Sequence, residues 1–246
     1  MFDFTNHKLF KMKKLLLLTI SIFCANLTLA QNMTYSVHEF KIKDKGESEL
    51  IKQLDNFFKD ATYLKNSGIN IEKIGTGWGE TSRGMTHRLV FFREIGSNGP
   101  INQSSTKEQR NLNWSKVRLL VDKWGPSFHG RMLSWIQGEM NAYPNVQIFH
   151  FKADSPGQFK MAHDKFFNST GNYFNGKSLG FGTIDIGSPD GATHWVAIGS
   201  KNNQDLIKMH HDIANKFSKQ YTEWQKNNGG IEMIDDFVIK IRRSFK

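Results

Sequence analysis

Polar and apolar positions alternate over residues 35–43, with Val37, Glu39 and Lys41 on one parity and His38, Phe40 and Ile42 on the other, the two-residue period of a strand. From about Glu47 the period lengthens: Leu50, Leu54, Phe57, Phe58 and Ala61 fall on one face at helical spacing. Two strands are predicted next, near 69–78 and 85–93, separated by the polar turn 79–84. A second helix carries Trp114, Val117, Val121 and Trp124 on one stripe and is predicted to stop at Gly125-Pro126. A last strand is expected near 132–138.

The same order then recurs: strand 146–152, helix 156–174, strands 179–186 and 193–200, helix 204–225, strand 231–242. The recurrence is visible in the residues as well. Gly75-Thr76 followed by Gly84-Met85-Thr86-His87 is matched by Gly182-Thr183 followed by Gly191-Ala192-Thr193-His194, at a constant offset of 107. Upstream, Asp55-Asn56-Phe57-Phe58 is echoed by Asp164-Lys165-Phe166-Phe167. Internal similarity at a fixed period means one supersecondary unit written twice. The boundary is expected near Asn141-Ala142-Tyr143-Pro144, which divides the chain into a leader over 1–30, a first repeat over 31–143 and a second over 144–246.

Each repeat reads β-α-β-β-α-β, the ferredoxin-like order, so the fold class is α+β, with helices on one face of an antiparallel sheet. The other face needs cover too, because apolar residues occur at both strand parities, as in Leu89 and Phe91 against Val90 and Phe92. Two repeats in one chain can stack those open faces. By element order and duplication the chain resembles the dimeric α+β barrel superfamily, of the antibiotic-biosynthesis-monooxygenase type and with haem-handling relatives, in a fused tandem form. The resemblance implies an intrachain α+β barrel; it rests on no family motif.

The N-terminus changes the picture of location. Lys11, Lys13 and Lys14 lead into the apolar run Leu15–Phe23, and Thr28-Leu29-Ala30 supplies a small-residue exit, the pattern of a Sec-type signal cleaved before Gln31. At about a dozen residues the run falls short of the roughly 20 a membrane-spanning helix needs. A periplasmic or secreted product without a membrane anchor is expected. The single cysteine, Cys24, leaves with the signal, so the mature chain has no disulfide and no thiolate nucleophile or ligand. The formal charge is +10, and removal of four lysines and one aspartate with the leader keeps it basic. Without long runs of Lys or Arg, that charge describes a solvated surface and does not point to nucleic acid.

The candidate chemistry centres on the matched histidines. A simple four-residue hairpin at Ser188-Pro189-Asp190-Gly191 would place Asp185 opposite His194, while the equivalent turn would place Trp78 opposite His87. A carboxylate across the strand orients an imidazole and raises its basicity, as a general base needs. His194 with Asp185 is therefore the predicted catalytic pair, and His87, Trp78, Trp195, Thr76 and Thr183 are the predicted pocket residues. His210 borders the apolar stripe of its helix and is the candidate axial ligand if the chain binds haem, as the resemblance also allows. His163 beside Asp164 reads as a solvated helix edge, since helix neighbours do not face each other. No cysteine or HExxH metal motif survives in the mature chain, and Gly75–Gly79 lacks phosphate-loop spacing. The expectation is a cavity between or within the barrel halves binding a small, mostly apolar organic molecule, either with cofactor-independent monooxygenase-like or isomerase-like turnover or as a non-catalytic binding module. A homo-oligomer is compatible with either.

Overall fold

The computed structural model describes residues 32–246 except 64–65, 76–77, 80–82, 98, 100, 103–104 and 137. The predicted leader and Thr76 lie outside the described residues. The first repeat runs β1 (Met33–Ile42), α1 (Gly46–Phe58), β2 (Thr62–Tyr63), β3 (Gly68–Ile74), β4 (His87–Glu94), β5 (Ile101–Asn102), α2 (Lys107–Leu120) and β6 (Val121–Ile136). The second runs β7 (Asn145–Ala153), α3 (Pro156–Ser169), β8 (Leu179–Thr183), β9 (His194–Ser200), α4 (Asn203–Asn215), α5 (Ser218–Asn227) and β10 (Ile231–Phe245). Strands β2 and β5, apart in the chain, form a small separate two-stranded antiparallel sheet.

The other eight strands close into an antiparallel barrel in the order β1-β4-β3-β10-β7-β9-β8-β6. Within it, β6-β1-β4-β3 and β10-β7-β9-β8 are the two ferredoxin-like sheets, joined edge to edge by β3–β10 and β8–β6. Closure leaves neither sheet an open edge. The matched Thr-His pairs fall on equivalent strands, His87 beginning β4 and His194 beginning β9, whereas Gly182-Thr183 ends β8 and Gly75 lies past the end of β3. Equivalence extends to side chains. His87 Nδ1 lies 2.9 Å from Thr86 Oγ1 and its ring stacks on Phe40 at 5.9 Å; His194 Nδ1 lies 2.8 Å from Thr193 Oγ1 and stacks on Phe151 at 5.9 Å. Even the turns meet: Arg83 and Asp190, equivalent positions at the repeat offset, are ion-paired to each other. In a symmetric pair of identical units those positions would carry like residues; duplication in one chain permits opposite charges.

Three layers of core follow from the strand alternation. Inward residues, including Tyr35, Val37, Phe128, Ile148, Trp195, Phe237 and Ile239, fill the barrel. Outward residues of the first sheet pack with Leu50, Leu54 and Val117 of α1 and α2, and those of the second with Phe159, Phe166, Leu206 and Met209 of α3 and α4. Among the described residues no helix is long and apolar enough to cross a membrane.

Two elements depart from the sequence pattern. Helix α2 opens with a capping box between Thr106 and Gln109 but ends at Leu120, and Val121 and Trp124 belong to the long strand β6. Gly125-Pro126 does not stop a helix. It sits where β6 bulges opposite Glu39, between the pairs His38–Ser127 and Phe40–Trp124, a place where the missing proline N–H costs no ladder bond. The helix expected over 204–225 is two helices broken at Lys216-Phe217.

Candidate functional site

The register differs from the one expected for the predicted pair. Thr183, not Asp185, faces His194, and Lys73, not Trp78, faces His87. The cause is the turn: Pro189–Gly191 forms a short 3-10 segment with Asp190 at positive φ, and β8 leaves its partner after Thr183 so that Asp185 and Ile186 bond to His129 of β6. Asp185 is held instead by Arg131, with contacts of 2.8 and 3.0 Å. The Arg131 hydrogen bond keeps the Asp185 carboxyl below its usual range, with burial opposing. His194 is buried between Phe151 and Phe181 on the helix-facing side of the sheet. Burial lowers its pKa; the charge of Asp185 opposes that shift and Arg131 adds to it.

The asymmetry expected between the two histidines is reversed. His87 has the carboxylate, with Nε2 3.3 Å from Glu47 Oε2, and Glu47 also holds Lys73 and Arg242. Burial nonetheless keeps the His87 pKa below normal, against the hydrogen bond it makes to the Glu47 carboxylate. Trp78 is exposed and lies by Val238. Thr183 is structural: its Oγ1 accepts from Arg131 N and its carbonyl from the Tyr35 hydroxyl. Of the predicted pocket residues that are described, Trp195 alone lines the barrel interior, and the haem candidate His210 lines a different cavity.

The His210 cavity is larger than the barrel interior. It lies within the second repeat, between the outward sheet face and the helices, and measures about 790 Å³. Phe149, Phe151, Val196 and Ile198 form its floor, Phe159, His163, Phe166 and Phe167 of α3 one wall, His210, Ile213 and Ala214 of α4 another, and Tyr221 and Trp224 of α5 its cover. The broken helix makes this room, because α5 brings Tyr221 and Trp224 over the floor as a stacked pair 5.6 Å apart. The corresponding groove of the first repeat, lined by His38, Phe91, Trp114 and Trp124, holds about 330 Å³.

Two histidines reach this apolar chamber. His210 Nε2 is engaged by Gln147 Oε1 at 2.7 Å; burial lowers its pKa, with the charge of Asp236 opposing. His163 departs from its reading as a solvated edge: it is buried among Phe159, Phe167 and Phe181, its Nδ1 lies 3.2 Å from Asp164 Oδ1, and its buried Nε2 has no hydrogen-bond partner. Burial alone would raise the Asp164 pKa, but the hydrogen bonds from His163 and Lys160 hold it below normal. A shift of helical phase by part of a turn separates edge from core, and the sequence pattern carries no signal that fine.

The barrel interior carries a carboxylate and a guanidinium on the first-repeat side only. Glu72 and Arg88, cross-strand neighbours, form a buried ion pair at 2.5 Å. At the same register, one residue on from His194 as Arg88 is from His87, the second repeat pairs Gly182 with Trp195 across the strands. A Cβ on Gly182 would stand 2.7 Å from the Trp195 indole, so glycine is what lets that ring lie flat on β8.

No family model matches the sequence, and no curated protein matches it significantly. The fold does have solved counterparts. A candidate monooxygenase from Lactobacillus acidophilus superposes with a TM-score of 0.57 at 11% identity, over 87% of this chain and 96% of that one. A candidate monooxygenase from Fusobacterium nucleatum gives 0.50 at 10% identity, over 87% and 94%. A chlorite dismutase variant from Candidatus Nitrospira defluvii gives 0.50 at 9% identity, over 89% and 94%. With the closed eight-strand barrel, these place the chain in the dimeric α+β barrel fold, in its fused tandem form. Fold is all that such distant likeness conveys.

Proposed function

We propose that the protein binds an apolar, ring-bearing organic molecule in the chamber between the sheet and helices of its second repeat. The observation that carries this reading is the chamber itself. At about 790 Å³ it falls within the range of roughly 300–1,000 Å³ typical of small-molecule pockets, and aromatic and aliphatic side chains line most of it. The barrel interior, at about 80 Å³, has room only for a molecule about a tenth of that size. If the protein turns its ligand over without a cofactor, His163 is better placed than His194 to move a proton, because its Nε2 is unpartnered at the chamber wall while its Nδ1 is oriented by Asp164. Export belongs to the same reading, supported by the lysine-led apolar run before Ala30, and a mature N-terminus at Gln31 is its expected sign.

Titration with N-phenylnaphthylamine, a neutral probe that fluoresces in apolar surroundings, tests the binding claim. One saturable site is expected in the wild type, weakened in Ala214→Trp, which takes up part of the chamber, and in Met233→Trp at its exposed rim. Absence of saturable binding, or unchanged binding in a folded Ala214→Trp, overturns it.

A second reading is favoured by His163 alone. A buried imidazole with one nitrogen against a carboxylate and the other unpartnered is the arrangement of a metal-ligating histidine. The residues fit the iron and ring of a haem: His163 would ligate, and Phe151, Phe166 and Trp224 would flank the macrocycle. No lysine or arginine is among the lining residues, so the haem carboxylates would face solvent. When bound, haem would supply redox chemistry. A Soret band on adding haemin, shifted in His163→Gln and kept in His210→Gln, distinguishes this reading; no band removes it.

A further inference from the structure

The barrel interior holds a second, smaller cavity, about 80 Å³, separate from the chamber under the helices. We propose that it is a ligand site for a small neutral molecule carrying one hydroxyl on an apolar ring, of the size and chemistry of phenol.

Three polar atoms carry the inference. Asn70 Oδ1 and His150 Nδ1 are buried without a hydrogen-bond partner, Trp195 Nε1 has only a poorly aligned approach to the Tyr35 hydroxyl, and all three residues line this cavity. They come from β3, β7 and β9 and are 9%, 1% and 7% exposed. A buried polar atom without a partner costs roughly 1–3 kcal/mol, so two such atoms and a poorly satisfied third facing one space mark a place built to be completed. The atoms are complementary to a hydroxyl: the carboxamide oxygen accepts, the indole N–H donates, and a neutral imidazole nitrogen does either according to its tautomer.

Size and charge restrict the ligand further. One water needs roughly 10–15 Å³ of such space, so the cavity takes about half a dozen heavy atoms. The remaining wall is apolar, with Phe128, Ile148 and Val90 around the three polar atoms. The only charges on it, Glu72 and Arg88, neutralise each other, and the Tyr35 hydroxyl is committed to the Thr183 carbonyl at 2.7 Å. An ionic ligand would lose its hydration and find no unpaired counter-charge; a neutral one does not. Gly182 and Gly180 belong to the same design, since a Cβ on either would push Trp195 into the cavity.

Nuclear magnetic resonance on the full chain, titrated with phenol and separately with toluene, tests the proposal. One of the six tryptophan indole N–H signals should move on saturation with phenol, and that signal should be the one missing from Trp195→Phe. Phenol should bind about 10-fold more tightly than toluene, and Trp195→Phe and Asn70→Leu should each weaken it by about 10-fold, the scale of one unmade buried hydrogen bond. His150→Phe should abolish binding by filling the space; if it fails to fold by circular dichroism, Trp195→Phe decides. Ala214→Trp in the outer chamber should leave phenol binding unchanged, so the two sites stand or fall separately. Equal affinity for toluene, no indole shift, or a cavity holding ordered water alone at saturating phenol overturns the proposal.

Discussion

Removing one member of the interior ion pair should be among the most damaging single changes in this protein. Glu72 and Arg88 are buried at opposite positions of β3 and β4, with Arg88 Nε donating to Glu72 Oε2 at 2.5 Å. In Glu72→Leu the guanidinium would keep only the face of Phe237, 5.6 Å away, and no opposite charge in the pair. Breaking a buried pair from one side costs about 3–5 kcal/mol, while a cation–π contact returns about 1–2 kcal/mol that is present before and after and so offsets none of the loss. For a chain of this length that corresponds to a fall in Tm of roughly 6–20 °C. Replacing both, Glu72→Leu with Arg88→Met, should recover most of the stability, because an apolar pair of similar volume needs no desolvation of charge. Urea unfolding of the two single variants and the double supplies the cycle. A loss under about 1 kcal/mol in Glu72→Leu, or additive losses in the double, would refute the placement of this pair in a dry interior.

Two further outcomes follow from the geometry. Asp235 has its pKa pushed up to about 6, by burial first and then by Asp190, Asp236 and Glu39 against the pull of Arg83. The folded state therefore holds a proton that the unfolded chain releases near pH 4, so this group's contribution is full below pH 4 and is lost as pH rises through 6. Asp235→Asn should gain about 2 kcal/mol on the wild type between those pH values, read by urea unfolding at each, and a flat difference would contradict the assignment. Gly182→Val should lower stability by at least about 2 kcal/mol in thermal unfolding, because its Cβ would meet Arg131 O at 2.4 Å as well as the indole, whereas Gly157→Ala, with open space around its Cβ, should be near neutral.

The duplication was legible because it is written in residues that geometry constrains: Gly84 takes positive φ, and Thr86 and His87 bond to each other as Thr193 and His194 do. Element order followed from it. The hairpin register was not legible, since the 3-10 turn at Pro189 and the transfer of Asp185 to β6 are decided by a strand from the other repeat. Interior and exterior strand faces could not be told apart either. Both are covered, by the barrel core and by helices, so Leu89 and Val90 are equally apolar although they face opposite ways. The residues that matter most to the cavities, His163 and His150, were hidden for related reasons. One looks like a helix edge and the other like any strand histidine until the barrel closes around it.

Chemical-shift mapping with N-phenylnaphthylamine tests the central claim most directly. Changes concentrated on the second repeat, over 149–151, 159–167, 196–198, 210–214 and 221–233, with His163 among the most affected, are the predicted result. Changes centred on the barrel interior or on the first-repeat groove of His38, Phe91 and Trp114, or spread weakly over the surface, would contradict the account.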